Sequence, residues 1–183
     1  MPRLEPLDPG RMSAEQRRIH DAIAAGPRGS VPAPLSIWLR RPGLAEHAQA
    51  LGQYCRYDSS LSPRLSELAI MVTAAAWRSA YEWWAHEPHA LKAGLEPGVL
   101  EALKDGREPA FDRDDEAAVY AFARAVHRDR TVPDDVYRRA VEALGEEGVV
   151  DLTGILGYYS LISMTLNIFE VPPGDGSRSV FEG

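Results

Sequence analysis

The chain has 183 residues, 45% of them hydrophobic and 26% charged, the balance of a soluble globular protein that fits one domain spanning residues 1–183. Its formal charge of −7 argues against a nucleic-acid partner, because phosphate binding needs a clustered basic surface. The arginine pairs here (Arg17–Arg18, Arg40–Arg41, Arg138–Arg139) are scattered among acids, and the single cysteine, Cys55, excludes an intramolecular disulfide and thiol-pair chemistry.

In chain order the boundary signals are helical. Residues 1–12 lack an apolar run and a cleavage pattern, so no signal peptide is expected, a cytoplasmic location follows by default, and this end is read as loosely held. Ser13-Ala-Glu-Gln16 has the form of a capping box and predicts a helix to about Ala25. Gly26 to Pro34 reads as a loop that its prolines hold extended. Pro42 opens a helix to about Tyr57, and Ser62-Pro63 places an N-cap before a helix to about Trp77. Cys55 then reads as a small buried hydrophobe near a helix end.

A further helix runs from Ser79 to Ala93 and stops at Gly94; Glu96-Pro97 opens a short one that ends at Gly106. Asp112 caps another to about Arg128, Pro133 starts the next, and Gly145 ends it. The last runs from Glu147 to Glu170 and is stopped by Pro172-Pro173, leaving 174–183 as a loosely held tail. No stretch alternates with a period of two, so the expected fold is all-α, a bundle of about eight helices without a sheet. Residues 149–171 are apolar enough for a membrane span, but Asp151, Asn167 and the flanking glutamates favour a buried core helix. In that helix Gly154, Gly157, Ser160 and Ser163 recur every three residues, which predicts close approach by a neighbouring helix.

The chemistry concentrates between Ser62 and Gly94. Glu67 heads an apolar stripe of Ile70, Met71 and Ala74, so its carboxylate is expected to be partly desolvated, with Arg64 one turn earlier as a partner. An ordinary ion pair and a functional carboxylate both fit that pattern. Ser79, Glu82, His86 and His89 form one polar stripe, and Glu82 and His86, four apart, can pair for proton transfer. Two plainer readings stand beside it. Ser79-x-x-Glu82 is itself a capping box, and Trp84, Pro88, Leu91 and Leu95 look like the core face, which leaves the histidines solvated. Metal binding is not expected, because His86 and His89 are three apart with Pro88 between them.

Pro-Arg-x-x-Glu-Leu-Ala-Ile (Pro63 to Ile70), then Tyr81-Glu82-Trp83, Ala85-His86 and Ala93-Gly94-Leu95, resembles the carboxymuconolactone decarboxylase family and its alkylhydroperoxidase D-like relatives. The likeness reaches from the proline-containing segment Gly29 to Leu51 through the C-terminal helices Asp112 to Pro172. The resemblance implies an alkylhydroperoxidase D-like helical bundle, a homo-oligomer (trimer or hexamer) with pockets near subunit contacts, and a small-molecule substrate. The peroxidase branch uses a glutamate, a Cys-x-x-Cys at a helix start, and a histidine four residues after the second cysteine. Here Glu67 and His86 match, while Ser79 and Glu82 stand at the cysteine positions and Tyr81 at that of an accessory histidine. Without thiols, cysteine-based peroxide reduction has no nucleophile, and Cys55 alone has no partner.

What survives is a proton-relay set, Glu67, Glu82 and His86, suited to cofactor-independent lyase or isomerase chemistry on a small carboxylate or lactone. Around it, Tyr81, Trp83 and Trp38 are candidates to shape a pocket, with Ser79 and His89 also substrate-facing. Arg78 reads equally as a carboxylate anchor and as a helix-end cation. The rival reading is a non-catalytic, homo-oligomeric binding or assembly protein that kept the fold. Neither reading calls for a cofactor, a nucleic acid or a membrane.

Overall fold

A computed structural model describes residues 2–5 and 7–181, and among these every regular element is helical. The elements are α1 (Ala14–Ala25), α2 (Ala33–Trp38), α3 (Pro42–Gln53), α4 (Pro63–Ala76), α5 (Ala80–Lys92), α6 (Pro97–Lys104), α7 (Asp114–Asp129) and α8 (Asp134–Ile168). A 3₁₀ turn at Pro9–Arg11 precedes α1, and one π-helical turn, Tyr54–Asp58, extends α3.

The caps at Ser13 and Ser62 form where the sequence places them, whereas Asp112 does not cap α7, whose N-cap is Arg113 without a side-chain hydrogen bond. Ser13 Oγ accepts from the Gln16 amide at 3.2 Å and Gln16 Oε1 accepts from the Ser13 amide at 2.9 Å, completing the capping box of α1. Ser62 Oγ accepts from the Leu65 amide and Pro63 takes the first turn of α4, where its missing N–H costs nothing. α4 is apolar all round, and from Leu65 to Ala74 only Glu67 is not fully buried. Such a helix has to be enclosed, and it packs against α5, α7 and α8.

The stop expected at Gly145 is present: the residue leaves helical geometry (φ 73°, ψ 169°) and kinks the run α8, which continues as a second helix to Ile168. Two expectations are corrected. The Gly26–Pro34 loop gives way to helix at Ala33, because Pro34 in a first helical turn needs no N–H and its fixed φ suits the helix. The small residues of α8 do not receive a neighbouring helix, since Gly157 faces open space and only Cys55 Sγ, at 3.9 Å, approaches Gly154. The close approach to α8 comes from Gly52 of α3, where a Cβ would stand 2.0 Å from the Tyr158 hydroxyl.

α8 is long and apolar enough by composition to cross a membrane, yet 61% of its apolar window is buried inside the protein. It supplies Leu152, Ile155, Leu156, Tyr159 and Leu166 to the core. The ends also make specific contacts. The Arg3 amide donates to the Phe169 carbonyl at 2.9 Å, and the Phe181 ring lies edge-on to Trp83 at 5.4 Å and is buried. Within the ends expected to be loosely held, Arg3 and Phe181 thus have partners at α8 and α5; residues 1, 6, 182 and 183 of that expectation lie outside the described residues.

Candidate active site

The site is made by the turn between α4 and α5. Arg78 adopts a left-handed conformation (φ 48°), and the Arg78 and Ser79 amides donate back to the Ala75 and Ala74 carbonyls, closing α4 and reversing the chain. Asn167 Nδ2 of α8 donates to the Trp77 carbonyl at 2.7 Å and ties this turn to the core. α5 therefore lies beside α4, and Glu67 on one meets His86 on the other.

His86 gives both ring nitrogens to carboxylates. Nδ1 lies 2.7 Å from Glu67 Oε2, and Nε2 lies 3.1 Å from Glu82 Oε1, one turn back on its own helix. His86 is 2% exposed, Glu82 3%, and the Glu67 side chain 12%. Burial alone pulls an imidazole pKa down, but Glu82 and Glu67 outweigh it and push His86 up to about 9. At neutral pH His86 is an imidazolium held between the two carboxylates. The Tyr159 ring meets its face edge-on at 5.2 Å.

This reverses part of the expected orientation of α5. Glu82 and His86 face inward while Pro88 and Leu91 are exposed, whereas His89 is exposed and Leu95 buried as expected. The physical reason is charge compensation: paired and hydrogen-bonded, the carboxylates and the imidazolium tolerate burial. The pairing of Arg64 with Glu67 is also corrected, since Arg64 Nε donates to the buried Glu116 of α7 and leaves Glu67 to His86. Ser79 precedes α5 but makes no side-chain cap, and its buried hydroxyl finds no hydrogen-bond partner among the described residues. The capping-box reading of Ser79 and Glu82 therefore fails, because Glu82 has turned to His86.

Glu82 and His86 sit in the wall of a cavity of about 430 Å³, which Tyr81 and His89 also line. Four expected substrate contacts are not on its wall. Trp83 is packed under Phe181, and Trp38 donates Nε1–H to Thr165 Oγ1 at 3.0 Å within the core. Arg78, held at the turn, lies over the Phe181 ring, and Ser79 is enclosed at the same turn. The cavity instead takes Arg56 and Tyr57 from the π-helical turn, Arg28 from the loop before α2, Trp84 from α5, and Tyr158 and Tyr159 from α8. Burial pushes the Tyr158 phenol up to about 12 and Tyr159 well above its ordinary value, so both stay protonated donors. The Arg56-Tyr57 pair and the tandem tyrosines are visible in the sequence, but no local pattern aims them at one point.

Cys55 is buried, and burial with the charge of Asp151 pushes its thiol up to about 11, the opposite of an activated nucleophile.

Comparison with known proteins accords with this architecture. Residues 42–125 match the model of the Carboxymuconolactone decarboxylase family. No curated protein matches the chain. Among solved structures, an uncharacterized peroxidase-related protein from Ralstonia eutropha JMP134, described as an alkylhydroperoxidase AhpD core, superposes with a TM-score of 0.77 at 18% identity. That match covers 98% of this chain and 94% of the other. The apo debrominase Bmp8 superposes with a TM-score of 0.74 at 14% identity, over 96% of this chain and 94% of its own. A putative antioxidant defence protein AhpD of unknown function from Agrobacterium tumefaciens gives 0.66 at 16% identity, over 75% and 94%. Residues 42–125 thus carry a likeness to the carboxymuconolactone decarboxylase family, and the chain shares the all-helical fold of the alkylhydroperoxidase-like proteins.

Proposed function

We propose that this protein is a cofactor-independent lyase or isomerase that moves a proton on a small carboxylate or lactone held in the 430 Å³ cavity. The observation that carries this reading is the Glu67–His86–Glu82 chain, two carboxylates joined by one imidazolium at the cavity wall. Glu82 is the member placed to take a proton from a carbon acid beside a carbonyl group. His86, charged and hydrogen-bonded to it, returns a proton to the carbanion or enolate, and Glu67 holds the ring in orientation and keeps it charged. Peroxide reduction by a cysteine pair, which the resemblance to the peroxidase branch would imply, has no paired thiols here, since Cys55 is the single cysteine.

One observation favours the second reading, a binding or assembly protein without catalysis: Glu82 and His86 are almost fully enclosed, as in a purely structural ion triad. Glu82→Gln separates the two. A positioned acid–base group contributes about 10²–10⁴-fold in rate, so the variant should lose turnover by that order while keeping its fold. A fully active Glu82→Gln protein, assayed on a lactone or β-keto acid that the wild type turns over, would sink the catalytic reading.

A further inference from the structure

We infer that Arg56 and Arg28 form an anion-binding subsite in this cavity that anchors the carboxylate of a planar, conjugated or aromatic substrate. The inference rests on the cavity being a substrate site and says where that substrate's charge lies.

Both guanidinium groups line the cavity, and both reach the same ring: Arg28 Cζ stands 5.8 Å and Arg56 Cζ 5.6 Å from the Tyr57 ring centroid. Both pack over one tyrosine; Arg28 also reaches the Tyr158 hydroxyl, while Arg56 has no side-chain hydrogen bond to a described residue. Neither forms an ion pair among the described residues, whereas Arg64 is matched to Glu116 and Arg124 to Glu108. Arg56 is partly buried, and burial opposes its charge. Tyr159, Tyr57, Glu67 and Glu82 outweigh that opposition and raise its pKa, so it stays a cation within the field of the relay. The cavity wall carries Arg28, Arg56, His86 and Glu82, and Glu67, off the wall, is bonded to His86, so three cationic groups stand against two carboxyl groups. A bound monoanion completes that balance.

The backbone supports the assignment. Arg56 and Tyr57 lie on the π-helical turn, an interruption of regular helix geometry that is frequent at functional sites. Arg28 lies in the loop whose Gly29 takes a positive φ of 67°. Between the arginines and Glu82 the walls are aromatic, with Tyr81, Trp84 and Tyr159, which suits a flat ring more than a flexible chain. A carboxylate on the arginine forks then places the ring atoms toward Glu82 and His86.

Para-fluorobenzoate and para-fluorobenzamide, nearly identical in shape and differing in charge, test this by fluorine NMR titration of the full chain. The acid should bind at least about tenfold more tightly than the amide, the difference made by a charge-assisted bidentate contact. Arg56→Met, which keeps the apolar stem, should abolish the preference, Arg28→Met should reduce it, and added salt should weaken only the acid. Equal binding of acid and amide by the wild type, binding of neither, or an intact preference in folded Arg56→Met each overturn the inference. If Arg56→Met does not fold, the wild-type ratio together with Arg28→Met decides. Cyclohexanecarboxylate displacing the probe as well as benzoate does would overturn the planar-ring half. Acid-selective binding with no loss of turnover in Glu82→Gln would leave the subsite standing while removing the acid–base reading, and the reverse pattern would do the opposite.

Discussion

His86 and His127 are both shielded from water and are shifted in opposite directions for opposite reasons. His86 has two carboxylates and is pushed up to about 9. His127 has none: burial, then the charge of Arg130, lowers it to about 4. Its tautomer follows from geometry. Thr73 spends its hydroxyl proton on the Ala69 carbonyl at 2.8 Å, so its oxygen accepts from His127 Nε2–H at 2.9 Å. The consequence for stability is a maximum between them. Below the unfolded imidazole value of about 6.5 the His86 contribution is complete, and it is lost as pH rises through about 9. The His127 contribution is present above about 6.5 and is lost as pH falls through about 4. Thermal unfolding followed across that range should show the peak, with His127→Gln flattening the acid side. Glu67→Gln should lower the His86 titration seen by NMR and move the alkaline loss to lower pH. A stability that does not decline between neutral pH and pH 9 would contradict the pairing.

Among the elements, α3 and α7 each carry one residue whose substitution sets two effects against each other. At Gly52, helix propensity favours alanine by about 1 kcal/mol. A Cβ there would meet the Tyr158 hydroxyl at 2.0 Å, and Tyr158 is buried between the rings of Trp38 and Tyr159. Overpacking of this kind costs about 1–3 kcal/mol, so Gly52→Ala should destabilise on balance, which chemical denaturation measures. At the end of α7 the sign is opposite. Arg130 caps the helix in the left-handed region (φ 61°), and glycine there removes the steric cost. Arg130→Gly should raise stability by roughly 0.5–1 kcal/mol without touching the cavity. The same elements show what local sequence signals reach. The caps at Ser13 and Ser62 are read correctly because each is a contact within four residues. The π-helical turn is hidden inside the helix expected from Pro42 to Tyr57, since nothing in those residues marks a change of hydrogen-bond register.

At the scale of the whole molecule, α8 turns an apolar line outward. Val150, Gly154, Gly157, Leu161, Met164 and Ile168 follow each other at alternating spacings of four and three, the seam of a helix meant to meet another. Val150 is 70% exposed and Ile168 50%. Gly157, where a Cβ would meet no described residue within 4 Å, lies on that line. We expect a second copy to cover it and the protein to be a homo-oligomer, trimer-based. Light scattering at micromolar concentration should give a multiple of the 20.2 kDa chain mass, and Ile168→Glu with Val150→Glu should return it to the monomer. A monomeric wild type would refute this.

The sequence by itself determined what depends on near neighbours: the helical class from caps and stops, the family resemblance carried between Pro63 and Leu95, and the Glu82–His86 pair from a spacing of four. It also named Glu67, Tyr81 and His89 among the residues that meet around the relay and its cavity. Only the tertiary structure decided which way the polar stripe of α5 faces, because hydrophobicity sorts Pro88 and Leu91 inward, and only the Glu67 contact made burial of Glu82 and His86 tolerable. It likewise replaced Trp38, Trp83, Arg78 and Ser79 at the cavity with Arg28, Arg56, Tyr57 and the tyrosines of α8. Those side chains come from segments as far apart as residues 28 and 159, and which of them share a cavity follows from packing over the whole chain, where short-range periodicity carries no information.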